Sequence, residues 1–479
     1  MNYRMIFQLL GRVLLCEAAF LLLPMVTALV YHEPVFPFLL TSAILAAFAG
    51  VLLLFRPRNG SIYAKEGFVC VGLSWLLMSL FGALPFLFSG AIPGFADAWF
   101  ETASGFTTTG ASILSDVESL PRGILLWRSL TQWIGGMGVL VFVMAVLPMA
   151  GGRAMHIMRA EVPGPTVGKL VPRVRHTARI LYLIYVGMTV LQIILLLFGG
   201  MSVFDAVLHA FSTASTGGFS SYNSSVGAFN SNYIIAVIGI FMVLFGVNFN
   251  LLFLLLVGRW KTALRSEELL WYLGIVIFAT VTIGLNVRHL YSSFGQSVLQ
   301  AFFQVSSIMS STGYATANYD LWPDYSRWSL LLLMIIGACA GSTAGGMKVS
   351  RLILQVRAVW GEIRHLLLPN SVRPVRLDGK TVAENTVKES LIYGVLYFFV
   401  VAVVNIVLAF NEVDLITNLS ASLSCLSNTG PGFDLVGPTG NYGFYSDWSK
   451  VVLSVEMFLG RLEIFPILIL FAPSTWFNK

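Results

Sequence analysis

Charge is scarce in this 479-residue chain: Asp, Glu, Lys and Arg make up 11% of it, where soluble domains carry about a quarter. With 57% hydrophobic residues and a mean hydropathy of +0.80, a soluble fold is excluded. Cysteine is sparse too. Cys16, Cys70, Cys339 and Cys425 each fall in or beside an apolar run without metal-type spacing, so they read as four unpaired small core residues. The histidines, His32, His156, His176, His209, His289 and His365, are scattered, and none pairs with a carboxylate at metal-ligand spacing. No nucleophile, acid–base pair or cofactor motif is present, so neither an enzyme nor a bound cofactor is expected. The net charge of +6 and pI near 9.1 would suit nucleic acid, but no compact basic domain exists to bind it. The positive residues sit in short loops instead, the pattern that orients membrane proteins. No small-residue cleavage site follows the first apolar run, which is expected to remain as a span.

What fills the chain is apolar sequence in long runs. A helix crossing the ~30 Å hydrocarbon core needs about 20 mainly apolar residues, and ten runs meet that measure. The first two, near 6–31 and 35–55, precede a pattern that then occurs four times: a span, a short amphipathic half-helix, a Thr-Gly turn and a second span. Unit one uses 67–89, 95–106, 107–112 and 125–149; unit two uses 180–198, 203–214, 215–220 and 233–257. Unit three uses 269–287, 296–310, 311–316 and 328–349; unit four uses 387–410, 415–427, 428–433 and 448–471. A period of about 100 residues is too long for a solenoid, so ring closure is expected. The expected fold is an all-α polytopic membrane protein of about ten transmembrane helices. Four pseudo-repeated helix–pore loop–helix units surround one central pore, and two extra N-terminal helices stand beside them. The expected divisions are 1–66 for that N-terminal pair, 67–150 for unit one, and 151–265 for a cytoplasmic loop and unit two. Unit three takes 266–350 with an intramembrane loop, and 351–479 holds a second cytoplasmic loop and unit four.

Orientation follows from the basic residues, which concentrate in cytoplasmic loops. With the N-terminus inside, 23 of the 29 Lys and Arg fall on the inner side and five, Arg122, Arg128, Arg288, Arg327 and Lys450, on the outer side. Arg461 lies within an apolar run. Both termini are therefore expected in the cytoplasm, and the four turns open from the outer face.

Backbone that is not helical cannot face lipid, because each unpaired N–H or C=O there costs several kcal/mol. Four such turns at equal depth imply a shared aqueous centre. Carbonyl oxygens aimed at that centre replace the hydration shell of a desolvated cation. Gly110, Gly217, Gly313 and Gly430 are expected to supply positive φ, and Thr109, Thr216, Thr312 and Thr429 a carbonyl, a hydroxyl and a stiff β-branched carbon. These eight are the expected ion ligands, and Ala111, Gly218, Tyr314 and Pro431 extend the filter. The half-helices point their partly negative C-terminal ends at the same centre, which favours cations.

The motifs Thr108-Thr109-Gly110-Ala111-Ser112, Ser215-Thr216-Gly217-Gly218-Phe219, Ser311-Thr312-Gly313-Tyr314-Ala315-Thr316 and Ser427-Asn428-Thr429-Gly430-Pro431-Gly432-Phe433 resemble the filters of the Trk/Ktr/HKT superfamily of cation transporters. The two extra N-terminal spans resemble the branch that forms the membrane subunit of bacterial Trk potassium uptake. The resemblance covers nearly the whole chain. It implies K+ as the transported ion, the bacterial plasma membrane as location, a homodimer with one pore per subunit, and control by a cytoplasmic TrkA-like ring of nucleotide-binding subunits. In that superfamily a Ser at the first filter glycine goes with sodium permeation; Gly110 here implies potassium selectivity.

The second span of unit three is interrupted by Gly337-Ala338-Cys339-Ala340-Gly341-Ser342-Thr343-Ala344-Gly345-Gly346-Met347-Lys348. Each Gly weakens a helix by about 1 kcal/mol relative to Ala, so a loop inside the membrane is expected. A phosphate-binding loop is disfavoured because Met347 stands where Lys is needed. Close helix packing by small residues and a movable gate under the filter both remain, and relatives in the superfamily carry an intramembrane loop here. Arg461, about 14 residues into the last span, is expected at the same depth. It either pairs with carbonyls or hydroxyls of residues 341–346, closing the pore with positive charge, or forms a salt bridge to Glu456 or Glu463. Lys348 either joins that cluster or snorkels to the cytoplasmic surface. The loops 151–179 and 350–388 are long and basic, suited to a cytoplasmic partner or to lipid headgroups. A proton- or sodium-coupled symporter is the alternative mechanism, with Glu456 and Glu463 as its only midplane carboxylates.

Overall fold

The computed structural model describes residues 1–55, 64–138, 174–368 and 374–476. Most of loop 151–179, the end of unit one's second span and the C-terminal Lys479 lie outside the described residues. Six described helices are long and apolar enough to cross a membrane, and a bent pair makes a seventh. The N-terminal pair, Tyr3–Val30 and Phe36–Leu53, packs together. Large apolar side chains such as Leu183, Phe198, Phe278, Val395 and Phe399 face outward from the spans, as a lipid-facing surface requires.

Four half-helices, Phe95–Phe106, Val203–Ala214, Phe294–Met309 and Leu415–Ser427, run 12 to 16 residues, too short to span. Their starts are fixed by side-chain caps in three cases. Ser202 accepts from the Asp205 N–H at 3.1 Å, Ser293 from Gln296 at 3.2 Å and Asp414 from Ile416 at 2.9 Å. Each half-helix ends one or two residues before a left-handed position: Thr108, Thr216, Ser311 or Asn428.

The interruption expected only in unit three recurs. Unit two's second span splits into Asn232–Phe245 and Phe249–Leu256, bent by 101°. Unit four's splits into Asp447–Arg461 and Phe465–Phe471, with Glu463 at φ 58° and Ile464 at φ 64°. Unit one's helix Arg122–Gly136 stops before Gly138 at φ 78°. Local causes are visible: Asn248 caps the helix after the first break, and Pro466 cannot continue a helix through the second. In unit three Asp324–Ile336 and Val349–Leu367 flank a non-helical segment, 337–348. Much of what sequence marks as loop 350–388 is thus helix, followed by a two-stranded hairpin pairing Arg376 with Thr381.

Candidate functional site

The four turns close into a ring. A Cβ placed on Gly110 would overlap the carbonyl oxygen of Gly217, one on Gly218 that of Thr312, one on Gly313 that of Thr429, and one on Gly430 that of Thr109. Each unit's glycine thus lies against a carbonyl of the next, and unit four returns to unit one. Gly110, Gly218, Gly313 and Gly430 all have positive φ, 77° to 99°. Backbone angle and close approach both demand glycine at these four places.

This geometry shifts the register of unit two by one residue. The N–H groups of Thr109, Gly217, Thr312 and Thr429 donate to the carbonyls of Ser104, Ser212, Ser307 and Ser424, at 2.8 to 2.9 Å. Thr216 therefore matches Thr108, and Gly217 matches the threonine of the other units. The expected positive φ belongs to Gly218, not to Gly217. The threonine hydroxyls also differ from expectation, since several are used by the protein. Thr109 Oγ1 lies 2.8 Å from Thr107 Oγ1 and accepts from Asn428 Nδ2 at 2.9 Å. Thr312 Oγ1 lies 2.7 Å from Ser310 Oγ, and Thr216 donates to the Ser215 carbonyl at 2.6 Å. Thr429 Oγ1, by contrast, is buried with no hydrogen-bond partner among the described residues.

Above the ring opens a vestibule of about 160 Å³, lined by the four ring glycines with Ala111 and Pro431. Tyr314 turns away from it; its hydroxyl donates to the Phe219 carbonyl at 3.2 Å and its own carbonyl accepts from Ser307 at 2.6 Å. Two buried charges brace this mouth and were not anticipated. Arg128 Nε donates to Glu101 Oε1 at 2.6 Å and stacks over Phe219 at 3.6 Å, while Glu101 accepts from the Ser112 hydroxyl and the Ile113 N–H, both at 3.0 Å. Charges inside apolar runs were the available signal. Gln132, also unanticipated, donates to the Gly217 carbonyl at 2.7 Å and accepts from the Phe219 N–H at 3.1 Å.

Below the ring sits the segment 337–348. The Gly345 N–H donates to Ser311 Oγ at 2.5 Å, and a Cβ on Gly345 would overlap the Ser427 carbonyl, so the loop touches the undersides of units three and four. Gly341 accepts from the Phe249 N–H at 3.0 Å, Thr343 Oγ1 donates to the Phe245 carbonyl at 3.3 Å, and Ser342 Oγ donates to Cys339 at 2.7 Å. Gly346, at φ 77°, folds back against Gly337. Lys348 is buried and donates to the Ala344 carbonyl rather than snorkelling. Glu268, missed in the sequence, holds both ends of the segment through the N–H groups of Ala340 at 2.7 Å and Ser350 at 3.2 Å.

Arg461 reaches this segment from unit four. It donates to the Thr343 carbonyl at 2.6 Å and to Gly135 and Gly136 of unit one at 2.7 and 2.6 Å. Glu463 engages Arg351 instead, at 3.1 Å, and Glu456 accepts from Ser422 at 2.6 Å. Arg461 thus joins units one, three and four beneath the ring.

Comparisons with known proteins agree with this architecture. A family model named TrkH, described as a cation transport protein, matches residues 35–272 and 269–479. The Trk system potassium uptake protein TrkH of Salmonella typhimurium (strain LT2) is 36% identical over 484 residues, covering 99% of this chain and 100% of that protein. TrkG of Escherichia coli (strain K12), also a Trk system potassium uptake protein, is 33% identical over 484 residues, covering 99% of each. The crystal structure of the potassium transporter TrkH from Vibrio parahaemolyticus superposes with a TM-score of 0.89 at 32% identity, covering 100% of both chains.

Proposed function

Because this chain belongs to the TrkH family of cation transport proteins, we propose that it takes up K+ across the bacterial plasma membrane through a selective, gated pore. The observation that carries this reading is the closed ring of glycine-to-carbonyl approaches from Gly110, Gly218, Gly313 and Gly430. Rigid backbone carbonyls at one level replace the water lost by a desolvated cation. The half-helix C-termini around them add partial negative charge.

The segment 341–346 with Lys348 acts as the gate, and Arg461 holds it shut by spanning Thr343 and Gly135–Gly136. A guanidinium under the filter also repels an arriving cation. The pore units follow the divisions set out from the sequence, with both termini and the basic segments in the cytoplasm. There the exposed Arg259, Lys261 and Arg265 suit a TrkA-like nucleotide-binding ring. Exposed Val356, Val359, Trp360, Leu366 and Leu367 on the helix after the gate suit a second copy of this chain.

A pore needs no coupled ion to accumulate K+. A potential of 100 mV, inside negative, contributes ~2.3 kcal/mol per charge, roughly 50-fold accumulation. Coupled symport is the second reading, favoured by one observation: Glu456 is fully buried and its Oε2 has no hydrogen-bond partner among the described residues. The two separate in proteoliposomes held at a fixed inside-negative potential, with and without an imposed proton or sodium gradient. K+ influx that follows the potential alone supports the pore. Influx that requires the second gradient replaces it with symport, and Glu456→Gln then becomes the variant to measure.

A further inference from the structure

Three of the four filter turns carry a threonine where the ring carbonyl arises: Thr109, Thr312 and Thr429. A β-branched residue restricts its own backbone and holds the following peptide group in place. Unit two carries Gly217 there, followed by Gly218. Two adjacent glycines leave that peptide plane the freest of the four, yet its carbonyl occupies the same place against Gly110 as its three counterparts do elsewhere in the ring. Something outside the turn must hold it.

Gln132 fills that need. It lies on helix Arg122–Gly136 of unit one and is fully buried. A Cβ on Gly217 would overlap its side-chain amide, so Gln132 occupies the space a threonine side chain would take. Its two amide groups clamp the turn from both ends: Nε2 donates to the Gly217 carbonyl at 2.7 Å, and Oε1 accepts from the Phe219 N–H at 3.1 Å. Among the described residues, no side chain donates to the carbonyls of Thr109, Thr312 or Thr429, so unit two alone is held this way. The same helix ends at Gly135 and Gly136, whose carbonyls receive Arg461.

We propose that Gln132 is a selectivity-determining positioning residue, which stands in for the missing threonine of unit two and fixes the Gly217 carbonyl in the ion-coordinating ring. The inference rests on the reading of the ring as a K+ filter. Gln132 does not touch the ion; it acts through Gly217. Losing it frees one carbonyl in four to turn away, and such a ring discriminates less between K+ and the smaller Na+.

The test measures reversal potentials in proteoliposomes with K+ on one side and Na+ on the other. Gln132→Met keeps the volume and loses both hydrogen bonds. Its K+ to Na+ permeability ratio is expected to fall about tenfold, the equivalent of about 1.4 kcal/mol. Gln132→Ala is expected to fall at least as far. Adding Gly217→Thr to Gln132→Ala supplies the threonine of the other units in the space vacated, and is expected to recover most of the ratio. Unchanged ratios in both single variants overturn the inference. So does a ratio in the double variant no better than in Gln132→Ala, and so does loss of the folded protein's melting transition in both single variants, which would make Gln132 a packing residue only. A wild-type protein with no preference for K+ would instead overturn the filter reading itself.

Discussion

A methyl group added at Gly218 would meet the Thr312 carbonyl oxygen, and the backbone there stands at φ 77°, where side chains are strained. Strain of this kind costs about 1–3 kcal/mol before any clash. Gly218→Ala is therefore expected to lower K+ flux by at least about tenfold, while Gly217→Ala, which meets the side-chain end of Gln132 and not backbone, falls less. Flux and thermal melting measured on both variants check the order, and a greater loss at Gly217 would contradict the register described. That register was only partly legible. The dipeptide Thr216-Gly217 invites alignment with Thr109-Gly110, yet turn position is set by backbone hydrogen bonds and not by residue type. A signal was present in Ser104, Ser212, Ser307 and Ser424, each four residues before the left-handed position. Gln132 offered no comparable clue, since its partner is 85 residues away in sequence.

Among the elements, the half-helices were the most legible, because their length falls short of a span and a Thr-Gly turn ends each one. Their second spans were not. An apolar run long enough to cross the bilayer measures composition, and a single turn inside it leaves composition almost unchanged; Asn248 and Pro466 were the small marks of breaks at 246–248 and 462–464. These breaks place non-helical backbone beside the segment 337–348, which Arg461 joins to the end of unit one's helix through three carbonyls. Hydrogen bonds from a charged group contribute about 1.5–3 kcal/mol each. Arg461→Ala is accordingly expected to raise the resting K+ leak by at least about tenfold in protein that still melts cooperatively. An unchanged leak would remove Arg461 from the gate. The buried Glu268, which holds both ends of the same loop, makes no such three-unit bridge among the described contacts.

Across the whole molecule, four segments separated by about 100 residues of sequence each meet in one ring, and that closure is what a transport function needs. Composition made the membrane class plain, and the fourfold repeat made the pore architecture plain. The order of neighbours around the ring, one to two to three to four, came only from the glycine approaches. The central claim is that this ring selects K+, and the most direct test is the reversal potential of the wild-type protein with K+ inside and Na+ outside, set beside Gly110→Ser. The account predicts a wild-type potential close to the K+ equilibrium value and a shift toward Na+ in the variant, since a side chain at Gly110 collides with the Gly217 carbonyl. A wild-type potential near zero, or one that Gly110→Ser leaves where it was, would contradict it.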